Sequence, residues 1–497
     1  MAQSVAPSQD ADLQTTPVTW SLTQENWRLP AGETMGMTGG NLWWGVNDNL
    51  KLGIASYGAT RGDRGGFITL GMAGELQHRW DPQWSSTLGL YVGAGGGHGG
   101  QPLAGGGLML RTDAGLGYET RGWGRLGMGV SHVRFPDGAI GSTQPYLRYD
   151  YSFHSLWLGG HGPAVSTASA NPPNGLGALA SREQAFAMVA RDVHWPAPSG
   201  LAKASRMQLI GAEWTRDLDA HWFLKLGAEG AMGGQSSGYM QILAGGGYRL
   251  PLWQGGDVRL HAAMGPAGGG AVDTRGGLMW DAGVSLQQQL SRHDALALTW
   301  GQEGGFSGPF RGSSLGLKWV HHFSAPDVGA QTVPIGDLAG WDPHHLRLRL
   351  VQQTYKGDRP AWRNSYPDMQ VSLLGAQWDY FVSPADASTQ WFVTGQGLAA
   401  YKGQAGAYMS GLLGVGVHQS LVGAWFAEAQ ALAGAGGGGG LATGGGLVGQ
   451  YDMGLGYRLS PQWSVMATAG RIAAHRGSFQ ATSWGLTMVY DLTALSR

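Results

Sequence analysis

Along most of the chain, apolar residues alternate with polar or very small ones. In WFLKLGAEGAM (222–232), Trp222, Leu224, Leu226 and Ala228 share one face, and Phe223, Lys225, Gly227 and Glu229 share the other. A period of two predicts β-strands with one apolar face. VRLHAAM (258–264), WSVMATAG (463–470) and LKLGIASYG (50–58) follow the same rule. A 3.6-residue stripe is confined to 176–190, where a short cap helix around Leu176 to Ala187 is one alternative to an inward plug, a partner-docking segment or a plain linker. In the first third of the chain, strands are expected near 18–27, 37–46, 50–58, 66–78, 84–94, 106–119, 123–133 and 145–153.

The pattern returns. GGGLMLRTDAGLGY (105–118), RGGLMWDAGVSL (275–286) and GGGLVGQYDMGLGY (444–457) place Asp113, Asp281 and Asp452 at intervals of 168 and 171 residues. Phe67, Tyr239 and Tyr408 recur at 172 and 169, and Trp43, Trp214 and Trp378 lie upstream of them. Ordered aromatic and acidic landmarks at one spacing predict a threefold repeat of about 165 residues, each of about eight strands.

Two kinds of turn alternate between the strands. WDPQW (80–84), QGGD (254–257), LSRHD (290–294) and LSPQW (459–463) are short. GAGGGHGGQPLAGGG (93–107), GPAGGGAVDTRGG (265–277) and GAGGGGGLATGGG (434–446) are long, and are expected to supply mobile extracellular segments. A flat sheet of about 24 strands would carry exposed edges, and closure removes them. Short turns at one end and long loops at the other resemble bacterial outer-membrane β-barrels. SWGLTMVYDL (483–492) is similar to their C-terminal assembly signal, with Gly485, Met488 and Tyr490 at its key positions, although TALSR follows where a terminal aromatic is usual. The expected fold is therefore all-β: a single large antiparallel transmembrane β-barrel of about 24 strands (range 22–26), built from three internal eight-stranded repeats. Its parts would be a tail (1–17), repeats at 18–153, 185–323 and 346–497, and linkers or plugs at 154–184 and 324–345. The resemblance implies a mature protein of the bacterial outer membrane, its signal peptide removed, with membrane lipid and the barrel assembly machinery as partners. A periplasmic partner could dock at the two linkers.

Composition sharpens this reading. Glycine supplies 88 of 497 residues, about 18% where about 7% is usual, without the three-residue period of collagen. Charged residues are 13%, and 22 tryptophans suit interfacial girdles, with Trp84, Trp222 and Trp463 beside short turns. A formal charge of −1 removes the basic face that a nucleic acid would need. The absence of cysteine excludes thiolate metal sites, disulfides and covalent c-type haem.

No catalytic motif is present: HGPAVS (161–166) is not a nucleophile elbow, and the glycine runs contain no GxxxxGK[ST]. His321–His322 and His344–His345 are adjacent strand residues pointing to opposite faces, which is unsuited to sharing a metal. No enzyme activity, cofactor or metal is expected. Alternation points to Lys225, Glu229, Gln241, Arg249, Arg259 and His261 as lumen-lining. Asp113, Asp281 and Asp452 are repeat-equivalent positions, either ringing a shared lumen or ending strands near one interface. About 24 strands would enclose a very wide lumen, so the function expected is a translocation conduit exporting a polysaccharide or fibre-forming polypeptide, gated by loops and linkers. Two alternatives are a sheath around a partner such as a multihaem electron carrier, and an adhesin or self-associating filament using the glycine-rich loops.

Overall fold

The computed structural model describes residues 12–159, 180–196, 205–328, 332–334, 341–363, 369–384 and 387–496. The first eight long strands are Thr16–Arg28, Thr34–Gly45, Leu50–Arg61, Ile68–Arg79, Trp84–Gly96, Leu108–Thr120, Gly124–Arg134 and Gly141–Ser155. All eight overlap the expected segments. The second set is Ser181–Trp195, Ser205–Asp217, Trp222–Gly234, Met240–Trp253, Gly256–Gly268, Leu278–Gln289, Asp294–Gly305 and Arg311–Pro326. The third is Asp342–Gly357, Gln370–Phe381, Thr389–Gly403, Met409–Ser420, Trp425–Gly437, Leu447–Arg458, Trp463–Ala474 and Gln480–Ser496.

Each set closes on itself. The eighth strand pairs antiparallel with the first of its own set, with Thr16 opposite Ser155, Ser181 opposite Pro326 and Asp342 opposite Ser496. The chain therefore forms three closed eight-stranded antiparallel barrels, and this corrects the expectation of a single barrel of about 24 strands. The wide lumen goes with it, because an eight-stranded barrel is just broad enough for side chains to fill. The cap-helix alternative around Leu176 to Ala187 is set aside from Ser181 onward, where the segment is the first strand of the second barrel. The rest of that helix, and most of 154–184 and part of 324–345, lie outside the described residues.

The landmarks occupy matching places. Trp43, Trp214 and Trp378 lie on second strands, Phe67, Tyr239 and Tyr408 just precede fourth strands, and Asp113, Asp281 and Asp452 lie on sixth strands. Both connections between barrels leave from the short-turn end.

The glycine-rich loops join one barrel to the next. In each barrel the hairpin between strands three and four meets the loop between strands five and six of the following barrel, and the third barrel returns to the first. Gly65 and Gly66 donate to the carbonyls of Arg275 (2.5 Å) and Ala267 (3.1 Å), and Ser237 Oγ lies 2.7 Å from Thr443 Oγ1. Backbone approaches backbone at the core of each contact. A Cβ on Gly277, Gly446 or Gly107 would lie 2.4, 2.1 and 2.1 Å from the carbonyl oxygens of Ala59, Ala231 and Ala400 respectively. These three glycines also have φ of +90°, +99° and +98°, a region that side-chain-bearing residues rarely adopt. The loops expected to be mobile slack are thus a packed, ordered seam. At the short-turn end, Leu156, Val328 and Leu495, each close behind or within the last strand of its barrel, cluster with Trp341. Leu495, within the TALSR segment, is the residue of the last strand that enters this contact.

A side chain at the seam glycines would combine left-handed strain with backbone overlap. Gly446→Val should cost about 2 kcal/mol or more, seen as a lowered melting temperature in detergent. Gly411→Ala, at a strand position with open space around its Cβ, should be neutral or slightly stabilising. Equal melting temperatures for Gly446→Val and the parent would show that the seam does not hold the barrels.

Candidate functional site: the barrel interiors and their lipid-facing exterior

The pleat sends alternate residues inward, and those residues are polar. In Trp222–Gly234, Phe223 and Lys225 are buried while Trp222, Leu224 and Leu226 are exposed. The same inversion runs through the other barrels, with Met128 63% and Met453 69% exposed.

In the first barrel, Arg111 reaches across the interior to Glu25 (3.0 Å) and contacts Asp113, which also accepts from Tyr146 Oη (3.3 Å). Arg148 bonds Glu75 and Asp150, and Arg125 bonds Asp150 through Nε (2.7 Å). In the second barrel, Asp281 receives Arg191 (2.9 Å), Lys225 (3.4 Å) and His261 (3.1 Å), while Lys318 binds Glu213 (2.7 Å). In the third, Arg347 meets Asp491 (2.9 Å) and Glu428, and Arg349 meets Glu428 (2.7 Å) and Asp379. Asp452 accepts from the amides of Gln450 (2.6 Å) and Gln353 (3.2 Å). Each cation here is matched by carboxylates from other strands, as burial demands.

Towards the loop end each interior becomes apolar. Phe67 and Phe135 pack with Trp27, Tyr239 and Phe310 with Met279, and Tyr408 and Phe479 with Tyr355. Phe135, Phe310 and Phe479 went unread in the sequence, although their spacings of 175 and 169 residues match the other landmarks.

Lys225, Glu229, Gln241, Arg259 and His261 all face the interior of the second barrel, where they line a packed space and not a wide lumen. Its cavity is ≈ 20 Å³, room for little more than one water. Arg249 stands apart at the short-turn mouth, paired with Asp217 (3.1 Å) and donating to the Ala220 carbonyl (2.9 Å). Asp113, Asp281 and Asp452 lie inside three separate barrels, so they form no common ring. Gly485 faces inward near the Gln352 carbonyl, while Met488 faces out and the Tyr490 ring lies tilted against Trp463 with centroids 4.7 Å apart.

The exterior completes the picture. At the short-turn end, Trp84–Tyr118, Trp222–Tyr248, Trp425–Tyr457 and Trp463–Tyr490 are cross-strand pairs with ring centroids 4.7 to 5.1 Å apart, forming an interfacial girdle. Above them the outward residues are mostly apolar until the loop end. Closed antiparallel barrels with polar interiors, a mostly apolar exterior and an aromatic girdle suit one environment. The architecture is that of a transmembrane β-barrel. No family model matches the chain, and no curated protein matches it. Solved structures similar to it include the siderophore receptor PirA from Pseudomonas aeruginosa (10% identity over 96% of this chain and 80% of that one, TM-score 0.27). Others are PirA from Acinetobacter baumannii (10%, 96% and 80%, TM-score 0.28) and the outer-membrane protein OpdK from Pseudomonas aeruginosa (11%, 96% and 99%, TM-score 0.22).

Two measurements follow from the site. Glu428→Ala would leave Arg347 and Arg349 short of a counter-charge and should cost about 3–5 kcal/mol in urea unfolding. A loss below about 1 kcal/mol would mean that Asp379 and Asp491 neutralise both. Outside the strands, Arg64 donates to Glu33 at 2.7 and 2.6 Å and holds its carboxyl below the usual range. A depressed folded value means that the stabilisation is present above the unfolded pKa, about 4.3, and fades as pH falls through the folded one. The pair is solvent-screened, so the parent should exceed Glu33→Gln by at most about 1 kcal/mol at neutral pH. That gap should close in acid; a gap unchanged in acid would rule the ion pair out as its source.

Proposed function

We propose that the chain is a fused trimer of one eight-stranded unit, acting in the outer membrane as a sealed, rigid platform rather than as a conduit. One observation carries the reading: in every barrel the interior is crossed by buried ion pairs between distant strands and closed at the loop end by aromatic side chains. A polymer has no barrel to thread, and no interior is broad enough to sheathe a multihaem partner. The glycine loops, considered above for adhesion or self-association, are engaged inside the molecule. What such a platform offers is a fixed loop-end surface outside and the junction segments 154–184 and 324–345 inside, the latter proposed as the place where a periplasmic partner docks. Any transport role is then indirect, as the frame that holds such a partner in the membrane.

Planar bilayers containing purified protein should show no steady porin-sized conductance. Large, long-lived openings in the parent protein would overturn the platform reading.

A further inference from the structure

The two membrane boundaries of the barrels are chemically unlike. At the short-turn boundary the outward rows carry Trp–Tyr pairs, with Arg79 and Arg121 exposed beside them; at the loop-end boundary of the first and third barrels, rows of cations and hydroxyls stand without such pairs. On the third barrel, Lys356 of the first strand lies opposite Thr482 of the eighth, Thr482 opposite Arg471 of the seventh, and Arg471 opposite Tyr451 of the sixth. All four are exposed, in one row across four strands. The first barrel repeats the arrangement. Thr143 lies opposite His132, and His132 opposite Thr112; Arg28 of the first strand lies alongside, its N–H donating to Ser142 Oγ (2.9 Å). His132 Nδ1 lies 2.8 Å from Thr143 Oγ1, and Arg134 closes the strand above.

Among the described residues, no carboxylate forms an ion pair with Arg28, Arg134, Lys356 or Arg471, whereas nearly every interior cation has one. The second barrel differs: there Asp192 lies in the outer row and neutralises Arg206. Height fits as well. From Tyr490 to Thr482 is eight residues, roughly 26 Å along the strand and roughly 20 Å along the membrane normal at the usual tilt, near the thickness of the apolar band. The cations therefore stand at headgroup depth, where an exposed positive charge without a protein partner meets lipid phosphate.

We propose that the loop-end rows of the first and third barrels bind the phosphates of anionic lipid headgroups in the outer leaflet, with Arg28, Lys356 and Arg471 as the principal ligands and Thr143, Thr482 and Tyr451 as hydroxyl donors. Guanidinium and ammonium groups beside hydroxyls form charge-assisted hydrogen bonds to phosphate oxygens. The inference needs the chain to be inserted in a membrane but not to be non-conducting, so it stands or falls independently of the platform.

The test reconstitutes the full chain in phosphatidylcholine vesicles carrying a minority of diphosphoryl lipid A, excises protein with its lipid annulus in polymer discs, and quantifies the lipids. Lipid A should be enriched over the bulk, and its dephosphorylated form should not. Each of Arg28→Gln, Lys356→Gln and Arg471→Gln should lower the enrichment constant about fivefold, and the triple variant on the order of a hundredfold. Arg79→Gln with Arg121→Gln, exposed at the opposite boundary, should leave it unchanged, and heat-modifiable migration reports that each variant is folded. Three outcomes would overturn the proposal: no enrichment by the parent, a folded triple variant within about twofold of it, or equal enrichment of dephosphorylated lipid.

Discussion

The structure depends on each group of eight strands closing on itself. Once Thr16 lies opposite Ser155, Ser181 opposite Pro326 and Asp342 opposite Ser496, every long strand has a paired neighbour on both sides within its own unit. The interior then has a fixed, small cross-section. It must be filled by side chains, and those side chains must neutralise one another, because a charge left unpaired in so dry a space costs several kcal/mol. Arg111 with Glu25, Arg191 with Asp281 and Arg347 with Glu428 are consequences of closure as much as supports for it.

Much of this was legible in the sequence. Period-two alternation located the strands and told inward Lys225 from outward Leu224, because side-chain direction in a strand is a local property. Landmark spacing located the three units. Neither could reveal closure, since the same alternation is satisfied whether strand eight pairs with the first strand of its own unit or of the next. Two features pointed the other way and were visible. The long connections at 154–184 and 324–345 are odd inside one barrel and natural between barrels. The inward positions carry Arg, Trp and Tyr, which occupy a narrow interior and would be stranded around a wide one.

Glycine was the residue type most open to misreading. A run such as Gly436 to Gly440 has the composition of a flexible linker, and composition alone assigns it slack. Its use here is positional: the residue equivalent to Gly446 recurs at Gly277 and Gly107, each with positive φ and each pressed on a neighbouring carbonyl. The sign that such glycines are structural was their recurrence at the repeat spacing, which mobile loops have no reason to conserve.

The seam also explains why the number of barrels is three. Each contact is head-to-tail: the strand three–four hairpin of one barrel meets the strand five–six loop of the next, so the two surfaces differ. A heterologous contact of this kind either propagates without end or closes when its rotation divides a full turn. Here it closes, because the hairpin ending at Gly406 returns to Gly105, Gly106 and Gly107 of the first barrel. A chain with two units would leave one hairpin and one glycine loop exposed, and a fourth unit would find both surfaces occupied. Fusion fixes the copy number that the contact geometry requires and removes the entropic cost of gathering three separate chains in the membrane.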